Sequence, residues 1–227
     1  MWGDHGTRFG GIRQIKQGKL EERLPMNFVM FPTEFIKRRP HFGTALMANQ
    51  DRLVTPSDYH ATFEHILSLP YQEPFVPSMP YQMSILDEHP SKRLCADANV
   101  NPHHCTCYKR TNMAVNDTVV RLGTQAILDY LNNIVQEDDH AREVCRTLTL
   151  SKIADAELLE AKPDPLYQVQ FYVAPGNSEF EGTFRYVGNK TIEVIPHYSR
   201  LTKYVGGSCG VKTHIMRVCY CKKKNKA

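Results

Sequence analysis

Tyr167-Gln168-Val169-Gln170-Phe171-Tyr172-Val173, then Pro175-Gly176-Asn177, then Phe180-Glu181-Gly182-Thr183-Phe184-Arg185-Tyr186 reads as a strand, a turn and a second strand. Apolar and polar side chains alternate along the first run, which is the period of a strand with one face on a core. The Pro-Gly-Asn triplet supplies the fixed and left-handed φ values that a tight reversal needs. Working outward, Thr191–Ile195 and Thr213–Tyr220 carry the same β-rich composition and extend the hairpin into an antiparallel sheet. On the N-terminal side, Val115, Val119, Leu122, Ala126, Leu128, Leu131 and Ile134 recur at roughly helical spacing, predicting a long helix from about Asn112 to Gln136. Residues 111–227 therefore read as an α+β region.

Upstream the character changes. Residues 70–110 hold Pro70, Pro74, Pro77, Pro80, Pro90 and Pro102 and read as a loop-dominated crossover. Residues 1–69 read as α/β. There Met26–Phe31 is an apolar run between Pro25 and Pro32, short enough to suit a buried strand. A helix from Thr33 to about Asn49 is expected to follow. A second helix begins at Thr55-Pro56-Ser57-Asp58, with Thr55 as N-cap, Pro56 at the first helical position and Asp58 in the first turn. Tyr59, Phe63, Ile66 and Leu67 share one face of that helix, and Pro70 ends it. There is no internal repeat.

With 227 residues, 41% of them hydrophobic and 23% charged, the chain has material for a real core. The formal net charge of +4 owes much to Lys222, Lys223, Lys224 and Lys226 at the end. Elsewhere no basic stripe interleaved with aromatics occurs, so a nucleic-acid partner is not indicated. No run reaches the length of a membrane span, and Met1 leads into polar sequence rather than a secretory leader. The cysteines point the other way. Cys95, Cys105, Cys107, Cys145, Cys209, Cys219 and Cys221 cluster in the later part of the chain in mostly polar surroundings, which suggests up to three disulfides in an exported domain, with one thiol left over. The glycosylation sequons at Asn116 and Asn189 fit the same extracellular compartment.

Near the start, Gly3-Asp4-His5-Gly6 sets a carboxylate beside an imidazole between two glycines. Both are ligands for a divalent cation, and the glycines permit the sharp backbone that turns both side chains toward one ion. With Arg8-Phe9-Gly10, then Gly18-Lys19-Leu20-Glu21-Glu22-Arg23-Leu24-Pro25 and the apolar run up to Pro32, this resembles the second half of the alkaline-phosphatase/sulfatase superfamily core, where a DHG loop precedes an EE-R-P segment. Val54–Thr62 looks like the helix start that follows. Arg93-Leu94-Cys95, Pro102–Cys107, Val173–Gly176 with Phe180-Glu181, Ser199-Arg200 with Tyr204, and Cys219-Tyr220-Cys221 are similar to the C-terminal region of an exported animal family in that superfamily, catalogued as a domain of unknown function.

The resemblance implies an α/β fold class: residues 1–69 as the C-terminal half of an alkaline-phosphatase-like (sulfatase-like) mixed-sheet core, then the 70–110 crossover and the Cys-rich α+β region with its antiparallel sheet. It also implies a divalent metal, zinc or calcium, with Asp4 and His5 as the matching ligands. In such enzymes the nucleophile and first acidic ligand precede the DHG loop, so the chain is expected to be a C-terminal fragment of an extracellular hydrolase of phosphate or sulfate esters, inactive as it stands.

Other readings compete residue by residue. Asp4 can close an Asx turn on its own backbone. Asp58 and His60 are candidates to complete a metal site, although a helix cap and a surface residue account for them. Arg8 and Arg23 are candidates to face an anionic substrate or to pair with Glu21 or Glu22. Cys95, His103, His104, Cys105 and Cys107 offer zinc ligands, but Cys-x-Cys spacing suits disulfides better than a zinc knuckle. The alternative function class is an exported module whose Cys-rich sheet binds a protein or a glycan.

Overall fold

The computed structural model of the chain describes residues 3–69, 74–203 and 209–222. In chain order the helices are α1 (Lys16–Arg23), α2 (Thr33–Arg38), α3 (Pro40–Ala48), α4 (Pro56–Ser68), α5 (Thr118–Gln136), α6 (Asp139–Val144) and α7 (Thr213–Met216). The strands are β1 (Arg110–Asn112), β2 (Cys145–Arg146), β3 (Thr149–Leu159), β4 (Leu166–Ala174), β5 (Ser178–Tyr186), β6 (Ile192–Arg200) and β7 (Tyr220–Cys221). This mixed α/β chain divides into two compact units, residues 1–6 with 23–107 and residues 7–22 with 108–227. Among the described residues no helix is long and apolar enough to cross a membrane.

In the second unit the hairpin of β4 and β5 is the centre of a five-stranded antiparallel sheet ordered β1-β3-β4-β5-β6. Gly176 at φ 92° and Asn177 at φ 48° make the expected reversal. The register sets Val169 opposite Gly182 and Phe171 opposite Phe180, so that these residues with Val173 and Phe184 line one face. That face packs on α5 through Val120, Ile127, Leu128, Leu131 and Val135.

The buried stripe of α5 is Val120, Gly123, Thr124, Ile127, Leu128, Leu131 and Val135, so the expected stripe is fully buried only at Leu128 and Leu131, with Val119 and Ile134 half-buried against the same core. Val115 lies outside the helix and is exposed. The helix starts at Thr118 rather than Asn112 because the Asp117 carboxylate accepts from the amides of Val119 (2.7 Å) and Val120 (3.4 Å), while Arg110–Asn112 pairs with β3. Gly123 explains the rotated face: a Cβ there would overlap the ring of Phe184. Only a bare Cα lets helix and sheet approach so closely. Gly123→Ala is expected to cost about 1–3 kcal/mol by overpacking, read as a lower urea midpoint with the disulfides kept intact.

Two strand expectations change, and the strand β3 has no counterpart among them. β6 runs past Pro196 to Arg200, because a register shift at Gly182/Thr183 takes the proline out of the ladder on an edge strand. β3, an eleven-residue strand, carries no clear alternation because two register shifts interrupt it. Thr213–Tyr220 is not a strand. Its buried residues Ile215, Val218 and Cys219 recur at three and four rather than two, and the segment forms α7 followed by the short pair β7–β2.

In the first unit, the expected helix from Thr33 to Asn49 is broken in two. Arg39 precedes Pro40 and sits at φ −135°, ψ 70°, outside helical space, as the clash with a proline ring requires. Stacking of Phe31 on Phe35 (5.3 Å) and of Phe35 on Phe42 (5.7 Å) ties α2 to α3. The cap at Thr55 is where it was expected, but the buried face of α4 is rotated from the expected one, of which Tyr59 and Ile66 are half-buried. Asp58, Ala61, Thr62 and His65 are buried, whereas Phe63 and Leu67 are 47% and 76% exposed. The helix ends at Ser68; Pro70 lies outside the described residues. Met26–Phe31 is extended but is no buried strand: Met26, Phe28 and Met30 are 65%, 56% and 80% exposed. Gly3 N–H donates to the Met26 carbonyl (3.1 Å), and among the described residues no second layer covers the run. An apolar composition reports what burial would contribute, not that a cover is at hand.

Candidate functional site

The Asp4-His5 segment is placed by one backbone bond, and neither Gly3 nor Gly6 takes up a positive φ. Gly3 is tied to Met26, which fixes the start of the loop beside the extended run. Asp4 Oδ1 accepts from the backbone N–H of the next residue, His5 (3.0 Å), one residue short of the reach of an Asx turn. The second carboxylate oxygen, Oδ2, stands 3.6 Å from His5 Nε2. The other ring nitrogen, Nδ1, lies 2.7 Å from the Gly6 carbonyl and can only donate to it. In a neutral ring that bond leaves Nε2 as the nitrogen with a lone pair, on the side of Asp4 Oδ2. A ligating histidine characteristically donates its remote N–H to a carbonyl, and adjacent vertices of a tetrahedron with bonds of about 2.0–2.1 Å lie about 3.3–3.4 Å apart, slightly closer than the 3.6 Å between Asp4 Oδ2 and His5 Nε2. A small closing movement would be needed for both atoms to reach one cation. Among the described residues the pair does not belong to a group of three ligating side chains.

Asp58 has a different task. Its Oδ1 accepts from Met83 N (2.9 Å) and Arg93 Nη2 (2.9 Å), and its Oδ2 accepts from Thr55 N (2.7 Å), Thr55 Oγ1 (2.9 Å) and Arg93 Nη1 (2.7 Å). Burial acts most strongly on this carboxyl and pushes its pKa up. The Arg93 hydrogen bonds, the amides of Met83 and Thr55 and the Arg93 charge together outweigh it and hold the group below its ordinary 3.8. Every lone-pair direction is committed, so Asp58 is a capping and anchoring group. His60 is exposed and stands 3.7 Å from Glu64 one turn on.

The buried side of α4 continues this polar core. His65 Nδ1 meets Ser84 Oγ at 2.9 Å and Asp87 Oδ2 at 3.7 Å. A Ser-His-Asp grouping in this form is no relay, because both partners address the same ring nitrogen, and Ser84 is only 1% exposed. Asn49 closes the loop by donating to the carbonyls of Ile85 (3.0 Å) and Asp87 (2.8 Å) and accepting from His89 N (2.9 Å).

The second unit hides a comparable polar layer on the sheet face away from α5. The register forms two cross-strand rungs, Asp155–Gln170–Glu181 and Glu157–Gln168–Thr183. Arg13 places Nε 2.5 Å from Glu22 and Nη2 3.2 Å from Glu181, and Lys19 Nζ lies 2.6 Å from Asp155. Arg110 donates to Glu157 and to Gln168, both at 2.8 Å. Glu22 thus takes Arg13, and Glu21 accepts from Gln17 (2.9 Å). Arg8 is exposed.

Six cysteines are paired, as Cys95–Cys105, Cys145–Cys219 and Cys209–Cys221, with Cα–Cα distances of 5.9, 5.2 and 5.9 Å. Cys107 is a free, exposed thiol. His103 is buried in a short 3₁₀ turn next to exposed His104. Both sequon asparagines, Asn116 and Asn189, lie exposed on turns, Asn189 at φ 47° between β5 and β6.

Comparison with known proteins bears on this geometry at one point. A family model described as a protein of unknown function (DUF229) matches residues 1–154. The chain belongs to this family. The DUF229 match takes in the Asp4-His5 turn, the Asp58–Arg93 anchor and the Cys95–Cys105 disulfide. It stops within β3, before the hairpin of β4 and β5. No curated protein and no solved structure matches the chain.

Proposed function

We propose that this DUF229 chain carries part of the metal centre of an extracellular, alkaline-phosphatase/sulfatase-like hydrolase, with Asp4 and His5 as two ligands, and that the chain alone does not hydrolyse phosphate or sulfate esters. The observation that supports the ligand assignment is the 3.6 Å approach of Asp4 Oδ2 to His5 Nε2, with His5 Nδ1 committed to the Gly6 carbonyl. A cation bound there would supply Lewis-acid stabilisation of charge on a phosphoryl or sulfuryl oxygen. The donor set favours zinc over calcium, since calcium takes oxygen ligands and half of this pair is imidazole nitrogen. Two exposed ligands without a third among the described residues bind weakly, which is the basis for expecting no turnover. Three disulfides and two exposed sequons support the extracellular placement.

The test is zinc competition against a chromogenic chelator, alongside assays with aryl phosphate and aryl sulfate at added zinc or calcium. Weak zinc binding that is lost in Asp4→Ala and in His5→Gln is expected, with no ester hydrolysis. Unchanged zinc affinity in Asp4→Ala would remove the ligand assignment. Metal-dependent turnover that Asp4→Ala abolishes would overturn the inactivity.

A further inference from the structure

Cys107 does not stand alone: its Sγ and those of Cys95 and Cys105 all lie within 4.8 Å of one another. Cys95 and Cys105 are joined and buried, at 3% and 1% exposure, whereas Cys107 is free and exposed. A free thiol this close to a disulfide has the reagents of an exchange reaction within one loop. Neither an oxidant nor a reductant is needed.

We propose that Cys107 is an exchange-active thiol and that the segment from Cys95 to Cys107 interconverts between two disulfide isomers. The Cys107 thiolate attacks Cys95 Sγ. The Cys95–Cys105 bond breaks, a Cys95–Cys107 bond forms, and the electron pair leaves on Cys105, which takes up the proton that Cys107 gave to solvent. Sulfur oxidation states balance: one disulfide and one thiol stand on each side.

Attack at Cys95 is the productive direction. A Cys105–Cys107 bond would span a single residue and force the strained geometry that a disulfide resists. A Cys95–Cys107 bond closes a loop only two residues longer than the present separation of 10, a negligible change in loop entropy. The exchange moves the staple two residues toward the end of the first unit, past the turn that holds His103 and His104. It also withdraws the reactive thiol from the surface. Partial burial pushes the Cys107 thiol above its ordinary 9.0, so the thiolate is scarce at neutral pH and the exchange is slow there. Below that raised value its rate should climb about tenfold per pH unit, following the thiolate fraction.

The experiment uses the full oxidised chain without added thiol. Samples held at pH 6 or pH 9.5 are quenched in acid, denatured, labelled with a maleimide and mapped by mass spectrometry. At pH 6 the label should sit on Cys107 alone; at pH 9.5 it should divide between Cys107 and Cys105, with a Cys95–Cys107 peptide present and the half-time independent of protein concentration. Label confined to Cys107 after prolonged incubation at pH 9.5 overturns the proposal, as does a rate proportional to protein concentration. The variant Cys107→Ser should show no labelling and an unchanged Cys95–Cys105 bond; rearrangement in that variant would assign the chemistry elsewhere and refute the role of Cys107.

Discussion

Arg93→Met is expected to destabilise the first unit by about 3–5 kcal/mol, the cost of leaving one member of a buried ion pair behind. Asp58 and Arg93 have side-chain exposures of 0% and 2%, and the guanidinium grips both carboxylate oxygens at 2.7 and 2.9 Å. Arg93 also donates to the carbonyls of Leu53 (3.0 Å) and Tyr81 (2.6 Å), so its loss frees two further acceptors. The pair by itself contributes less than this figure, because desolvating two charges offsets most of their attraction. Joint replacement, Asp58→Leu with Arg93→Met, should recover only part of the loss. The amides of Thr55 and Met83 would still have lost the carboxylate that receives them.

The pH dependence separates charge from packing. Asp58 titrates below its ordinary value, so its stabilisation is complete above about pH 4, the unfolded carboxylate range, and is lost as pH falls through the lowered folded value. Without Arg93, burial acts on Asp58 with less opposition and favours the neutral acid, so the variant gains relative stability as pH falls. The gap between wild type and Arg93→Met in urea midpoint should narrow below about pH 4. A gap constant from pH 7 to pH 3 would show that lost packing, not the buried charge, carries the effect. Amide exchange at Thr55 and Met83, read by mass spectrometry, localises the change.

The hairpin of β4 and β5 was legible because its alternation is uninterrupted and its turn residues are those a reversal needs. Its immediate neighbour β3 was not. Seven of the eleven residues of Thr149–Leu159 are Ala, Leu, Lys or Glu, which favour helix, and two register shifts break the period of two. The cysteine arithmetic gave three disulfides and one spare thiol, but pairing depends on which chains approach and lies beyond spacing alone. The deeper failure concerns polarity. On α4 Phe63 and Leu67 are exposed while Asp58, Thr62 and His65 are buried, since these have partners that satisfy them, and a hydrophobicity count cannot see a partner distant in sequence. The Asp4-His5 motif was visible as two residue types; the Gly6 carbonyl that accepts from the ring is a backbone group with no signature.

Glu181 shows the same lesson with a larger expected consequence. In Phe180-Glu181-Gly182-Thr183-Phe184 the alternating polar positions read as a solvent face, yet Glu181 and Thr183 are 0% exposed. The difference lies far away in the chain. From residues 7–22 the side chains of Arg13 and Lys19 reach this face, and Arg13, itself 1% exposed, bridges Glu22 and both oxygens of Glu181 at 2.5, 3.2 and 3.3 Å. Gln170 on the same rung donates to Glu181 Oε2 at 2.9 Å. Arg13→Met takes the shared cation from beside two carboxylates and is expected to cost about 3–5 kcal/mol at neutral pH. Glu181→Gln keeps a neutral acceptor for Arg13 and is expected to cost about 1.5–3 kcal/mol, the value of a hydrogen bond to a charged group. Arg13→Lys should fall near the larger figure, since one ammonium cannot reproduce the fork that reaches Glu22 through Nε and Glu181 through Nη2.

Urea midpoints with intact disulfides rank the three variants, and amide exchange reports where each acts. Arg13→Met should raise exchange in residues 7–22 and along β4 and β5, with Thr55 and Met83 unchanged. Equal stability of Arg13→Met and wild type would mean that the polar rungs hold the segment by shape and hydrogen bonding through Lys19 and Arg110. In that case the cation shared by Glu22 and Glu181 would not be the group that fixes residues 7–22 to the sheet.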